Sequence, residues 1–220
     1  MSLRTLFLGL LAVAVLSGSP ALAAELPGFN YSLAAPTGES WSPPEGIELA
    51  AVIESYNPFD PETCKRPDAE AAEAALEQVG LPVGQVRVCL QFRNTTGGPI
   101  NVELPPGLIF VSESQKVQSG MIVQKLTIEV PSDQYMVSPL RADCINTPRG
   151  IPGIGDRYRI GPVIQHRHIV EALRLLADRD LSDPIDAATA SSVLKPLYLG
   201  KALTQDGRDT IADLPARVPA

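Results

Sequence analysis

Between Gln85 and Asn146 apolar and polar residues alternate in short runs broken by turn-forming residues. Val86, Val88, Leu90 and Phe92 fall on one face of a strand, which leaves Arg87, Cys89 and Gln91 on the other. Asn94-Thr95-Thr96-Gly97-Gly98-Pro99 then turns the chain into Ile100, Val102 and Leu104, which alternate with Asn101 and Glu103. Pro105-Pro106-Gly107 leads into Leu108 to Val111. Ile122, Gln124, Leu126, Ile128 and Val130 make a further alternation, and Pro131-Ser132-Asp133 precedes a last strand from Tyr135 to Asn146. A period of two with these breaks predicts short antiparallel strands, and such strands in succession predict a β-sandwich. Upstream, Ile47 to Ile53 is apolar enough for a first strand, with Asn57-Pro58 and Asp60-Pro61 as turns.

Two other stretches carry a helical period. Pro67 suits a first helical position, Ala72, Ala75, Leu76 and Val79 share a face, and Gly80 can close the element, so a helix is expected over 67–79. Ile169, Val170, Leu173, Leu176 and Ala177 give an apolar face from about Val163 to Ala177. Asp183-Pro184 caps a second helix running toward Leu194, where Pro196 is expected to disrupt it, and Thr204 caps a third through Ile211. The expected architecture is mainly β with α: an antiparallel β-sandwich over 47–149 with an inserted helix, and a helical appendage over 161–214 packed on it.

The N-terminal residues change the setting. Arg4, the apolar run Leu6 to Leu16 and the small residues Ala21-Leu22-Ala23 read as a signal peptide over 1–23, and that run is too short to cross a bilayer. Residues 24–46, rich in Pro, Gly and Ser, read as an extended arm. A secreted or periplasmic location follows, with no transmembrane segment left after cleavage. Loss of Arg4 takes the formal charge from −7 to −8, a balance that disfavours nucleic acid and anionic lipid.

Export permits disulfides, and three cysteines, Cys64, Cys89 and Cys144, allow one bridge and one remaining thiol. Strand parity puts Cys89 outward and Cys144 inward, which argues against a bridge between those two, and Cys64 could reach either. Asp143-Cys144-Ile145-Asn146-Thr147-Pro148-Arg149 leaves the β region with a thiol, a carboxamide and a guanidinium together, so Asn146 and Arg149 are candidate binding residues. His166 and His168 are the candidate metal ligands, although residues two apart on a helix diverge. Asn94-Thr95-Thr96 matches a glycosylation triplet but is expected to serve as a turn. The Gly150 to Gly155 run reads as a turn-rich connector. The pattern points to no catalytic residue and calls for no cofactor.

The run Phe92-Arg93-Asn94-Thr95-Thr96, the stretch Ile100 to Ser112 with Pro105-Pro106-Gly107, and Leu126 to Val130 with the strand ending at Cys144 resemble the bacterial exported DUF11-type immunoglobulin-like domains over residues 86–146. The resemblance implies a sandwich and a structural or protein-interaction role, with a protein partner and no catalytic residues. A single copy, the cysteines and the flanking helices set this chain apart from the stalk repeats. The expected function is an exported, non-enzymatic interaction module. The alternatives are a thiol- or His-dependent hydrolase and a periplasmic carrier of a small ligand or metal.

Overall fold

The computed structural model describes residues 26–57, 59, 60, 63, 64 and 78–218. The signal-peptide reading of 1–23 and nearly all of the helix expected over 67–79 lie outside these residues. Among the described residues the chain forms eleven strands followed by three helices. The strands are β1 (Gly38–Glu39), β2 (Ile47–Leu49), β3 (Ile53–Glu54), β4 (Val79–Gly80), β5 (Val86–Asn94), β6 (Ile100–Leu104), β7 (Leu108–Ser112), β8 (Gly120–Met121), β9 (Leu126–Val130), β10 (Tyr135–Cys144) and β11 (Arg157–Ile164). The helices are α1 (Arg167–Leu176), α2 (Pro184–Tyr198) and α3 (Gln205–Ala212).

The pairing order corrects the immunoglobulin-like sandwich. The succession β5-β3-β11-β7-β8-β10 returns to β5 through an antiparallel β5–β10 pairing that runs from Tyr135↔Arg93 to Ala142↔Val86. Six strands therefore close into a barrel, with β1, β2 and β4 added outside the ring. Alternation and turn chemistry are the same in a barrel strand and a sandwich strand. What decides closure is the pairing of β3 with β11, a two-residue contact at Arg157↔Glu54 and Tyr158↔Ile53 that no local pattern announces.

A barrel this small is filled by its own side chains. Val86, Val88, Leu90 and Phe92, on the face the alternation assigns, occupy the interior with Leu108, Phe110, Leu140, Ala142, Cys144 and Tyr158. Gly120 sits where a Cβ would press on Val86 and Ala142 at 2.7–2.8 Å, so only glycine lets β8 enter the ring between β7 and β10. The β6–β9 ribbon, in register from Ile100↔Val130 to Leu104↔Leu126, packs Val102, Leu104, Ile128 and Val130 onto that interior and leaves Glu103 and Glu129 outside. Gly107, at φ 88°, makes the turn from β6 into β7.

A second core lies between barrel and helices. It joins Ile109, Met121, Val123 and Ile164 of the barrel side to Ile169, Leu173 and Leu176 of α1, Ala187, Ala190, Leu194 and Leu197 of α2, and Ile211 of α3. Asp183 caps α2 by accepting from Ile185 N, and Thr204 caps α3 by accepting from Gly207 N at 3.1 Å. The helical pattern read from 161 onward gives way to strand as far as Ile164, where Val163 pairs with Leu108 of β7 and β1 pairs at Gly38↔Ile164. Helix α2 runs past Pro196 to Tyr198. A proline in the last turn forfeits one bond rather than breaking a long ladder.

Candidate functional site

The densest polar cluster in the described structure joins the end of β10 to α2. Ser191, Lys195 and Tyr198 lie four and three residues apart, which puts them on one side of the helix. All three meet Asp143, whose side chain is 4 % exposed. Ser191 Oγ donates to Oδ1 at 2.7 Å, Tyr198 O–H donates to Oδ2 at 2.7 Å, and Lys195 Nζ reaches both oxygens at 3.0 and 3.1 Å. Lys195 also donates to the Cys144 carbonyl at 2.7 Å and lies 3.3 Å from Cys144 Sγ. Burial, and then the carboxylate beside it, push the Tyr198 hydroxyl well above its ordinary range, so it serves as a donor.

A buried ion pair persists only where its remaining lone pairs are satisfied, and here they are. The Lys195 ammonium is engaged by Asp143 and the Cys144 carbonyl, and the thiol itself packs into the barrel interior at 5 % exposure. This arrangement holds α2 against the barrel. Its signal in the sequence was the 191, 195, 198 spacing combined with a carboxylate in a strand end. The strand pattern marks Cys144 and leaves the three helix residues unmarked.

Cys64 and Cys89 form the disulfide and Cys144 is the free thiol. The bridge lies outside the barrel with Tyr56 and Val137, so Cys89 is covered from that side and not by the C-terminal helices. Tyr56 has its hydroxyl pushed up to about 12 by burial, against the lowering influence of Arg141 and Arg87. Asn94 is buried in the turn: its amide donates to Gly98 O at 2.8 Å and Val130 O at 2.9 Å, and its oxygen accepts from Thr96 N.

Asn146 and Arg149 are bonded to residues 28–32 of the same chain. Asn146 Nδ2 donates to Gly28 O at 2.8 Å and Asn30 O at 3.3 Å, while its Oδ1 accepts from Ser119 N at 3.0 Å. Arg149 Nη2 donates to Ser32 O at 2.7 Å. Phe29 is fully buried against the helical core with its ring 5.4 Å from that of Tyr198. The segment read as an extended arm is thus docked from residue 26, and β1 pairs with β11 at Gly38↔Ile164 and Glu39↔Val163.

The two histidines come together because His166 is the cap of α1, with extended backbone, and not a helical residue. Their rings are 5.8 Å apart. Arg167 Nε donates to His168 Nε2 at 3.1 Å, and Glu171, 3.8 Å from His168 Nδ1, is held by Arg208 at 2.7 Å. Burial first, then His168 and Arg167, lower the His166 pKa. Among the described residues no group of three His, Cys, Asp or Glu is arranged to hold a metal ion.

The connector Gly150 to Asp156 is pinned at both ends. Gly150 N donates to Lys116 O at 2.8 Å, Gly155 N to Ser55 O at 3.2 Å, and Gly153 N to Asp156 Oδ2 at 2.7 Å, while the Ser55 hydroxyl donates to Gly153 O. Between these ties Ile151 and Ile154 stand 58 % and 70 % exposed. Comparison of the chain with protein-family models, with curated proteins and with solved structures found no match.

Proposed function

We propose that the protein is an exported, non-enzymatic protein-interaction module and that the Gly150 to Asp156 loop is its docking end. The observation that carries the reading is the pair of solvent-facing isoleucines on a hydrogen-bonded loop. Exposed branched apolar side chains lose hydration favourably on docking, and a loop already fixed by its own bonds gives up little conformational freedom when it docks. The disulfide suits an oxidising compartment, and the leader-like N-terminus supports export. Cys144, Asn146 and Arg149 are engaged within the fold, which favours a structural over a thiol-dependent role for them.

The test is site-specific photocrosslinking in the native envelope with a photoreactive residue at position 154 and, as control, at the exposed Ile185 of α2. A discrete adduct at 154 that is lost in the Ile151→Asp variant, with none at 185, is expected. Identical labelling at both positions would show that the loop has no privileged partner.

A further inference from the structure

A cleft of about 300 Å³ lies between the barrel and the turn that precedes α2, with Arg141, Gln124, Asp180 and Arg217 in its lining. That volume sits at the lower bound of the roughly 300–1,000 Å³ typical of small-molecule sites. Its apolar wall is Leu81, Ile122, Val123, Leu126 and Leu181, and Arg141 and Gln124 are each held by backbone carbonyls. Arg141 Nε donates to Gly84 O at 3.1 Å and Nη1 to Pro82 O. Gln124 Nε2 donates to Leu176 O and Arg179 O at 2.6 and 2.8 Å, and its Oε1 accepts from Arg217 Nη2 at 2.8 Å. The C-terminal segment bringing Arg217 is tied down by Arg217 N to Asp178 O and Asp180 N to Pro215 O, both 2.8 Å.

The charges are unequal. Asp180, its carboxyl held below the ordinary range by its bonds to Ser182 and further by Arg217, stays ionised and offsets Arg217. Arg141 remains as the net positive group, and it lies directly across from Arg87 of β5. Burial first, and then Arg141, lower the Arg87 pKa, so the two guanidiniums disfavour each other, and an anion at Arg141 relieves that repulsion. A guanidinium fixed by two carbonyls keeps its Nη2 protons for a further acceptor, and a carboxylate matches that fork.

We infer that this cleft binds a carboxylate carried on an apolar group of about one leucine side chain, as a free small acid or as the C-terminal residue of a peptide. The carboxylate meets Arg141 and the apolar group packs against Leu81, Val123 and Leu181. Its residues are separate from the Ile151–Ile154 loop, so failure of either proposal leaves the other standing.

The experiment titrates the mature protein with N-acetyl-leucine, N-acetyl-leucinamide, and a short peptide ending in leucine with a free or an amidated C-terminus, following amide shifts by NMR. Both free acids, or one of them, should give saturable shifts centred on Gly80, Leu181, Ser182 and Arg217, with the amides binding at least about tenfold more weakly. The tighter of the two acids identifies the source of the carboxylate. Arg141→Gln should abolish the shifts. Because that arginine also ties down Pro82 and Gly84, Ser182→Trp, at an exposed rim position, provides a second block that leaves the core untouched. Equal shifts from acid and amide, no shift from any probe at millimolar concentration, or undiminished binding in a folded Ser182→Trp protein would each overturn the inference.

Discussion

The barrel interior and the seam between barrel and helices are both buried, yet they are held in different ways. The interior is almost wholly aliphatic and aromatic, and its strands are fixed by a closed ring of backbone bonds. The seam combines an apolar layer with an ion pair, two hydroxyl donors, a carboxamide and a docked N-terminal segment. Apolar packing is tolerant of small sliding, whereas a carboxylate with several assigned donors accepts one placement of a helix. The difference implies that the barrel supplies most of the stability and the seam supplies the unique position of α2 and of residues 26–32.

The largest expected effect tests the first half of that statement. Phe110 is fully buried in the barrel, and Phe110→Ala should lower the unfolding free energy by about 4 kcal/mol through lost transfer energy and an unfilled cavity. A urea titration of the two proteins checks it. A loss below about 1 kcal/mol would mean that the ring is not the stability-determining core.

Next comes Lys195→Ala, which leaves Asp143 buried with hydroxyl partners alone and should cost about 3 kcal/mol. The informative partner is the double variant Asp143→Leu with Lys195→Met. Replacing both charges by apolar groups removes the desolvation cost but leaves the Tyr198 and Ser191 hydroxyls without their acceptor, so it should recover part of that loss. If α2 is positioned by the ion pair, the double variant regains stability while the NMR signals of Tyr198 and Phe29 broaden. Sharp signals in a stable double variant would assign the positioning of α2 to apolar packing instead.

How far the sequence disclosed this division follows from the kind of signal each part leaves. Strands β5, β6 and β9 were legible because mainly one face of each is buried, which writes a period of two into the residues, whereas β7 and β10, buried on both faces, were legible from the turn residues that bound them. Strand β11 was missed: Arg157-Tyr158-Arg159 opens it with charge, and the register shift at Gly161-Pro162 breaks its period. The closure of the ring was illegible, since β3 pairs through two residues only. At the seam, Asp143 and Ser191, Lys195 and Tyr198 are about fifty residues apart, and no local pattern joins a strand end to a distant helix face. Asn146 and Arg149 stood out as recognition residues for a sound reason, an irregular strand exit rich in donors. Their ligand turned out to be the preceding segment of the same chain.

The smallest effect sharpens the comparison through pH. His166 lies beside Leu26, Pro27 and Thr37 at the edge of the seam, and no histidine lies inside the barrel. Its folded-state pKa is depressed by burial, with the neighbouring His168 and Arg167 adding to the effect. The unfolded chain takes up this proton near pH 6.5, the folded chain only at lower pH. Protons therefore favour the unfolded state, so the contribution is present above about pH 6.5 and is lost as pH falls toward the depressed folded value. The Asp180 carboxyl, whose pKa is also depressed, loses its contribution only in the acid range below the ordinary carboxylate value. A urea midpoint followed from pH 8 to about pH 5 should decline in the wild type and decline less in His166→Gln. The Phe110→Ala variant should start lower and decline with the wild-type slope, because its defect lies in a region without a titrating group in that window. A slope unchanged by His166→Gln would remove the pH sensitivity from the seam and place it on titrating groups elsewhere, because repulsion within this acidic chain weakens as pH falls toward about 5.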